Sequence, residues 1–98
     1  MNSITNKLEP LPDFIIKGCA LGVELGGTAW LMISQEYKLT EEFIREYQDN
    51  VMWPIISKQQ ILSEDFIREF QDKVDWESIF KYQIFSEEFI CEFHHKVN

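Results

Sequence analysis

Apolar residues recur along this chain with two nested periods. Within a segment, Phe43, Ile44, Tyr47 and Val51, then Phe66, Ile67, Phe70 and Val74, follow helical spacing and define one stripe to be buried. Between segments the pattern returns at a constant offset of 23 in the numbering. Thr40-Glu-Glu-Phe-Ile-Arg-Glu-Tyr-Gln-Asp aligns with Ser63-Glu-Asp-Phe-Ile-Arg-Glu-Phe-Gln-Asp and with Ser86-Glu-Glu-Phe-Ile-Cys-Glu-Phe, and the same offset joins Trp30, Trp53 and Trp76, and Ile33, Ile56 and Ile79. A fixed period of this kind marks a repeat architecture, in which each unit buries its apolar face against its neighbours.

Each unit carries its own helix start. Thr40, Ser63 and Ser86 are strong N-caps, because a hydroxyl there accepts a bond from an orphan N–H of the first turn. Leu39, Leu62 and Phe85 just before the caps are placed to pack on Ile44, Ile67 and Ile90 as hydrophobic staples. A second short helix is expected at each tryptophan, with Asp75 as cap before Trp76 and Pro54 in the first turn of the preceding copy. Two helices within one such period leave room for tight turns only. The predicted fold is all-α, a small helical-repeat domain of short antiparallel helices with an irregular glycine-containing insertion in its N-terminal third. The chain reads as a single domain over 1–98, with an N-terminal arm at 1–12, an irregular first unit at 13–29 and helical repeats at 30–98.

The string Ser63-Glu-Asp-Phe-Ile-Arg-Glu-Phe-Gln-Asp-Lys-Val-Asp-Trp76, followed by Ile79 and Tyr82-Gln83, resembles a short helical repeat found in many copies in proteins of large DNA viruses and some phages. The resemblance runs from about Trp30 to the end of the sequence. It implies an all-α fold and a viral origin, and it brings no catalytic residues. Three departures stand out. Leu11-Pro-Asp-Phe-Ile15 looks like a further helix start, but its offset from the counterpart Glu42-Phe43-Ile44 is longer than the repeat period, so that residues have been inserted between them. The last unit stops at Asn98 before a tryptophan helix, and Cys91 stands where Arg45 and Arg68 stand in the other copies.

The insertion holds all four glycines, Gly18, Gly22, Gly26 and Gly27. Their spacing suits a helix that approaches another backbone closely, a hairpin over Val-Glu-Leu-Gly-Gly-Thr-Ala-Trp, or an irregular connection that docks the first unit. No Lys-Ser or Lys-Thr pair follows, so a phosphate loop is not expected. Cys91, His94 and His95 are metal-type ligands, but a zinc site needs four donors at defined spacing, and neither a metal nor any other cofactor is expected. The same residues lack the third orienting group of a nucleophilic pair, and no enzyme is expected. With 45% hydrophobic residues and eight phenylalanines the chain has the means to fold despite a net charge of −8. Two unpatterned cysteines and no basic start to an apolar leader point to the cytoplasm of a host cell. No membrane span is expected, because no apolar run reaches the length needed to cross a bilayer.

The charge is not spread evenly. Segments 41–49, 64–72 and 87–92 hold eleven acids and two arginines, for a charge of −9, whereas the rest of the chain carries +1. Helical phase sets Glu42, Glu46 and Asp49 opposite the apolar stripe, and the repeat sets Asp65, Glu69 and Asp72, then Glu88 and Glu92, in matching columns. Two readings of these columns stay open. One is a solvated face that favours the helix dipole, with Glu41–Arg45 and Glu64–Arg68 as i,i+4 pairs. The other is a one-sign ridge that docks on a basic groove of a host protein. The second predicts a non-catalytic protein-binding module, viral or phage-encoded, acting as an acidic inhibitor of a host defence protein in the manner of anti-CRISPR proteins. The alternative is a structural or self-assembling protein, a homodimer held through Phe89, Phe93 and Val97. Direct nucleic-acid binding is not expected, for want of a basic patch.

Overall fold

The structure is a computed structural model that describes residues 8–96. Among these residues seven α-helices form in chain order: α1 (Asp13–Ala20), α2 (Gly27–Glu36), α3 (Glu41–Glu46), α4 (Trp53–Gln59), α5 (Glu64–Glu69), α6 (Trp76–Tyr82) and α7 (Glu87–Phe93), with a 3₁₀ turn at His94–Lys96. The only pairing of extended chain among them joins β1 (Glu9–Pro10) in parallel to β2 (Tyr37–Lys38). This is the small all-α domain expected from the repeat.

The three predicted caps are in place. Thr40, Ser63 and Ser86 Oγ accept from the N–H of Phe43, Phe66 and Phe89 at 3.0, 3.1 and 3.2 Å. A cap of this type is worth about 1 kcal/mol, much for helices of six or seven residues that would not persist alone. Other details differ from expectation. α3 and α5 end at Glu46 and Glu69, well short of Val51 and Val74, because the chain turns over, with Asn50 and Val51 N–H both donating to the Tyr47 carbonyl. Side chains hold that turn: Gln48 donates to the Arg45 carbonyl and the Trp53 indole to the Gln48 carbonyl, and Gln71 and Trp76 repeat both bonds one unit on. Asp75 occupies the N-cap position of α6, yet its carboxylate accepts from the Ser78 hydroxyl at 2.7 Å and from no backbone N–H. Phe85 stacks on Phe89 at 4.6 Å, while Ile90, expected beneath it, is 42% exposed.

The glycine segment is neither a hairpin nor one continuous helix. α1 closes in a Schellman motif: Gly22 has φ +82°, Gly22 N–H donates to the Cys19 carbonyl and Val23 N–H to that of Gly18. An extended stretch follows, and Gly26 then sits at the N-cap of α2, so Gly27 opens a helix where a hairpin turn was considered.

Packing repeats with the sequence. α2 lies on α4 and α4 on α6, and along this row Ile33, Ile56 and Ile79 are 3%, 0% and 0% exposed. Trp30, Trp53 and Trp76 each meet the phenylalanine thirteen positions on (Phe43, Phe66 and Phe89) at 6.3 Å between ring centres. A serine and a glutamine at each repeat lock one unit to the next, with Ser34, Ser57 and Gln60 buried and Gln83 half-buried. Ser34 and Ser57 Oγ accept from the N–H of Met52 and Asp75. Gln60 donates to the carbonyls of Ser34 and Tyr37 and accepts from Leu39 N–H, and Gln83 does the same to Ser57, Gln60 and Leu62. Among the described residues no buried side-chain polar atom is left without a partner.

The first and last units reveal which face each position uses. Phe66 and Phe89 are 1% and 0% exposed but Phe43, in the first unit, is only half-buried. Ile44 and Ile67 are fully buried but Ile90, in the last, is 42% exposed. The phenylalanine is therefore covered from the preceding unit and the isoleucine from the following one.

Candidate functional site: the carboxylate columns and the first-unit cleft

All eight acids expected on the ridge are exposed, but they divide into two sets. Arg45 donates Nε and Nη2 to the two carboxylate oxygens of Glu69, both at 2.9 Å. Arg68 donates Nε to Glu92 at 3.1 Å and Nη1 to Asp65 at 3.0 Å, and Lys73 meets Asp49 at 3.3 Å. Thus Asp49, Asp65, Glu69 and Glu92 face cations of this same chain. Among the described residues Glu42, Glu46, Asp72 and Glu88 enter no ion pair. The uniform one-sign ridge is corrected to a column in which negative and positive side chains alternate across units, with open carboxylates at four places. The cause is the stacking itself, which sets Arg45 of one unit against Glu69 of the next, and Arg68 against Glu92. Asp49 and Asp72, moreover, lie in the turns beyond α3 and α5, outside the helical phase used to place them.

Electrostatics follow these contacts. The hydrogen bond from Arg45 and its positive charge hold the Glu69 carboxyl below its usual value against the opposing effect of desolvation, and the bond to Glu69 raises Arg45 in turn. Arg68 is raised by its bond to Glu92, with Asp65 adding to the effect.

The first acid of each unit has a different task. Glu41 accepts from Ser63 N–H at 2.8 Å and Ser63 Oγ at 3.2 Å, and Glu64 treats Ser86 identically. Each therefore clamps the cap residue of the next unit. The expected i,i+4 pair is present between Glu64 and Arg68 at 3.9 Å, whereas among the described residues none joins Glu41 to Arg45. The sequence carries a signal for this clamp: Glu41, Glu64 and Glu87 are identical at the repeat offset, while the neighbouring position varies between Glu42, Asp65 and Glu88.

The residues proposed for self-association lie elsewhere than expected. Phe89 and Phe93 are 0% and 3% exposed, packed on Trp76, so they do not form an open apolar end; Val97 falls outside the described residues. The physical reason is that α6 supplies the cover that was assigned to a missing helix. The exposed apolar side chains of this end are Ile84, at 85%, and Ile90.

Two clefts flank the first unit. One, of about 450 Å³, lies between the glycine segment and the Trp30–Tyr47 pair and reaches Cys19 and Asn50. The thiol of Cys19 is pushed up by burial and then by the Glu46 carboxylate, and the Tyr47 hydroxyl is raised by the same two causes in the same order. A thiol so placed is a poor nucleophile. The second cleft, of about 330 Å³, opens between α1, β2 and α3 and is edged by Glu42 and Glu46. Both cysteines are free. Among the described residues no group of three or more His, Cys, Asp or Glu side chains is placed to hold a metal, and no helix is long and apolar enough to cross a membrane.

Comparison with known proteins adds no assignment: no family model, curated protein or solved structure matches the chain.

Proposed function

We propose that the chain is a non-catalytic protein-binding module that docks its open carboxylates on a basic surface of another protein. One observation carries this reading. The acids of the repeat columns are exposed throughout, yet the stack uses only some of them, so that Glu42, Glu46, Asp72 and Glu88 remain available to cations from outside. Opposite potentials speed encounter and fix register more than they add affinity. The finer reading is a phage- or virus-encoded inhibitor in the host cytoplasm that occupies the nucleic-acid groove of a defence protein, as anti-CRISPR proteins do. It is supported by the charge distribution and the repeat resemblance, by analogy.

The test is retrieval of partners from host extract with the tagged chain, followed by titration of the purified pair with salt. Binding is expected to weaken steeply with salt and to be lost in a variant carrying Glu42→Gln, Glu46→Gln, Asp72→Gln and Glu88→Gln. Glu69 and Glu92 are kept, since altering them would break the stack itself. A quadruple variant that binds the same protein with the same salt dependence rejects the proposal. Exposure of Ile84 and Ile90 favours a second reading, self-association at the last unit. It predicts a dimer by light scattering that Ile84→Glu converts to a monomer, and a wild-type chain that is monomeric at every concentration ends it.

A further inference from the structure

The stack contains two occupied receptors for an arginine side chain. Arg45 lies 5.5 Å from the centre of the Phe66 ring and is held by Glu69. Arg68 lies 5.3 Å from that of Phe89 and is held by Glu92. Each receptor is thus a phenylalanine ring with a glutamate three positions on, and the ring meets Trp53 or Trp76 at 6.3 Å between ring centres.

The first unit builds the same receptor a third time. Phe43 and Glu46 hold the positions of Phe66 and Glu69, and Trp30 meets Phe43 at the same 6.3 Å. No arginine stands before Arg45 in the sequence, however, and the side chain that α1 brings to this cleft is Ile16, so the chain sends no guanidinium there. The consequences are visible: Phe43 is only half-buried, Glu46 enters no ion pair among the described residues, and the cleft of about 330 Å³ lies against both. Leu39 and Ile16 line the apolar part of this cleft, with Glu42 as a second carboxylate and Lys38 on its edge.

We propose that the Phe43–Glu46 cleft is a receptor for an arginine side chain presented by a partner protein. The proposal deepens the protein-binding reading and rests on it for the identity of the donor as another protein. Arginine fits better than lysine, because a planar guanidinium lies flat on a ring while offering two parallel N–H groups to one carboxylate, and its aliphatic stem is suited to the apolar wall. A second copy of this chain is a poor donor in the same geometry: its last unit carries Cys91 at the arginine position. A partner helix with an acid four positions before its arginine would reproduce both internal contacts, that of Glu41 on a cap residue and that of Arg45 on ring and carboxylate.

The test titrates the isotope-labelled full chain with N-acetyl-arginine-N-methylamide, monitored by NMR at the Phe43 ring and the Glu46 amide. The citrulline and lysine counterparts serve as neutral isostere and point charge. Saturable shifts at Phe43 and Glu46 are expected with a dissociation constant on the order of 1 mM, none with citrulline, and binding about fivefold weaker with lysine. Glu46→Gln, an exposed change that leaves the core intact, is expected to weaken arginine binding at least about fivefold, and Glu77→Gln, at an exposed carboxylate on α6, to leave it unchanged. Absence of saturable shifts, an equal response to citrulline, or an indifferent Glu46→Gln overturns the proposal. Because no partner is present, such a failure removes the receptor and leaves the charge-docking proposal standing. Conversely, failure to bind any basic protein leaves the arginine titration unaffected.

Discussion

Replacing Gln60 by leucine tests whether the stack is locked by its buried polar residues as well as by its apolar ones. Gln60 is 2% exposed. Its amide nitrogen donates to the carbonyls of Ser34 at 3.0 Å and Tyr37 at 2.7 Å, and its oxygen accepts from Leu39 N–H at 2.9 Å. Leucine matches the volume but strands all three backbone groups, at about 1–3 kcal/mol for each buried group left without a partner. Burial of the leucine offsets about 1–2 kcal/mol, so a net loss of about 1–8 kcal/mol, centred near 4, is expected, a large share of the roughly 5–15 kcal/mol typical of a domain. Gln83 makes the same contacts one unit on, but it is only half-buried and its bond to Leu62 N–H is long at 3.3 Å. Water can replace it, and Gln83→Leu is expected to cost about 1–2 kcal/mol. Urea unfolding followed by circular dichroism measures both. If the two variants lose stability equally, or Gln60→Leu loses under about 1 kcal/mol, the amide is incidental to the lock.

Further outcomes follow from other contacts. Gly22→Ala is expected to cost about 1 kcal/mol through its φ of +82° alone, since nothing lies within 4 Å of the added carbon, whereas Gly27→Ala in the first turn of α2 is expected to be neutral or stabilising; equal melting temperatures for the two variants contradict the assignment of strain. Because Glu69 titrates below its ordinary 4.5 when folded, its contribution is present above that pH and lost as pH falls through the lower folded value. Relief of the overall negative charge acts in the opposite sense, so the measurement is the difference in melting temperature between wild type and Glu69→Gln, which should shrink below about pH 4; parallel curves refute the pairing. Exposed Cys91 should react with a disulfide reagent at neutral pH at least about a hundredfold faster than Cys19, and two equal rates would show that Cys19 is not shielded.

The chain's own periodicity made the caps, the tryptophan positions and the isoleucine row legible, because each is set by contacts within one unit or by a residue type with a single strong preference. The repeated polar residues carried equal information that residue type alone did not decode. Ser34 and Ser57, Gln48 and Gln71, and Gln60 and Gln83 recur at the same offset as the tryptophans, yet serine and glutamine are ordinary on a surface. Only the stack shows that Ser34, Ser57 and Gln60 are buried and that each bonds to the backbone of another unit. The ends of α3 and α5 were lost for the same reason, since the turn that follows each helix is held by a glutamine on the arginine carbonyl and a tryptophan on the carbonyl of that glutamine.

The acidic columns were legible as exposed but not as paired, and this difference decides what they can do. Helical phase fixes which side of a helix an acid occupies, but pairing depends on the reach of an arginine from one unit to the next. That reach makes the sign of the column depend on neighbours: Glu69 has Arg45 before it, Glu92 has Arg68, and Glu46 has no arginine before it. Identical residues at identical repeat positions therefore hold the stack together in the second and third units and stand open in the first. At the cleft beside Glu46 and Phe43, α1 brings Ile16 where the later units bring an arginine. An acid can count toward recognition only where no cation of the chain is paired with it. By that criterion the proposed interaction surface comprises Glu42 and Glu46 at the Phe43 cleft together with Asp72 and Glu88, rather than the ridge as a whole.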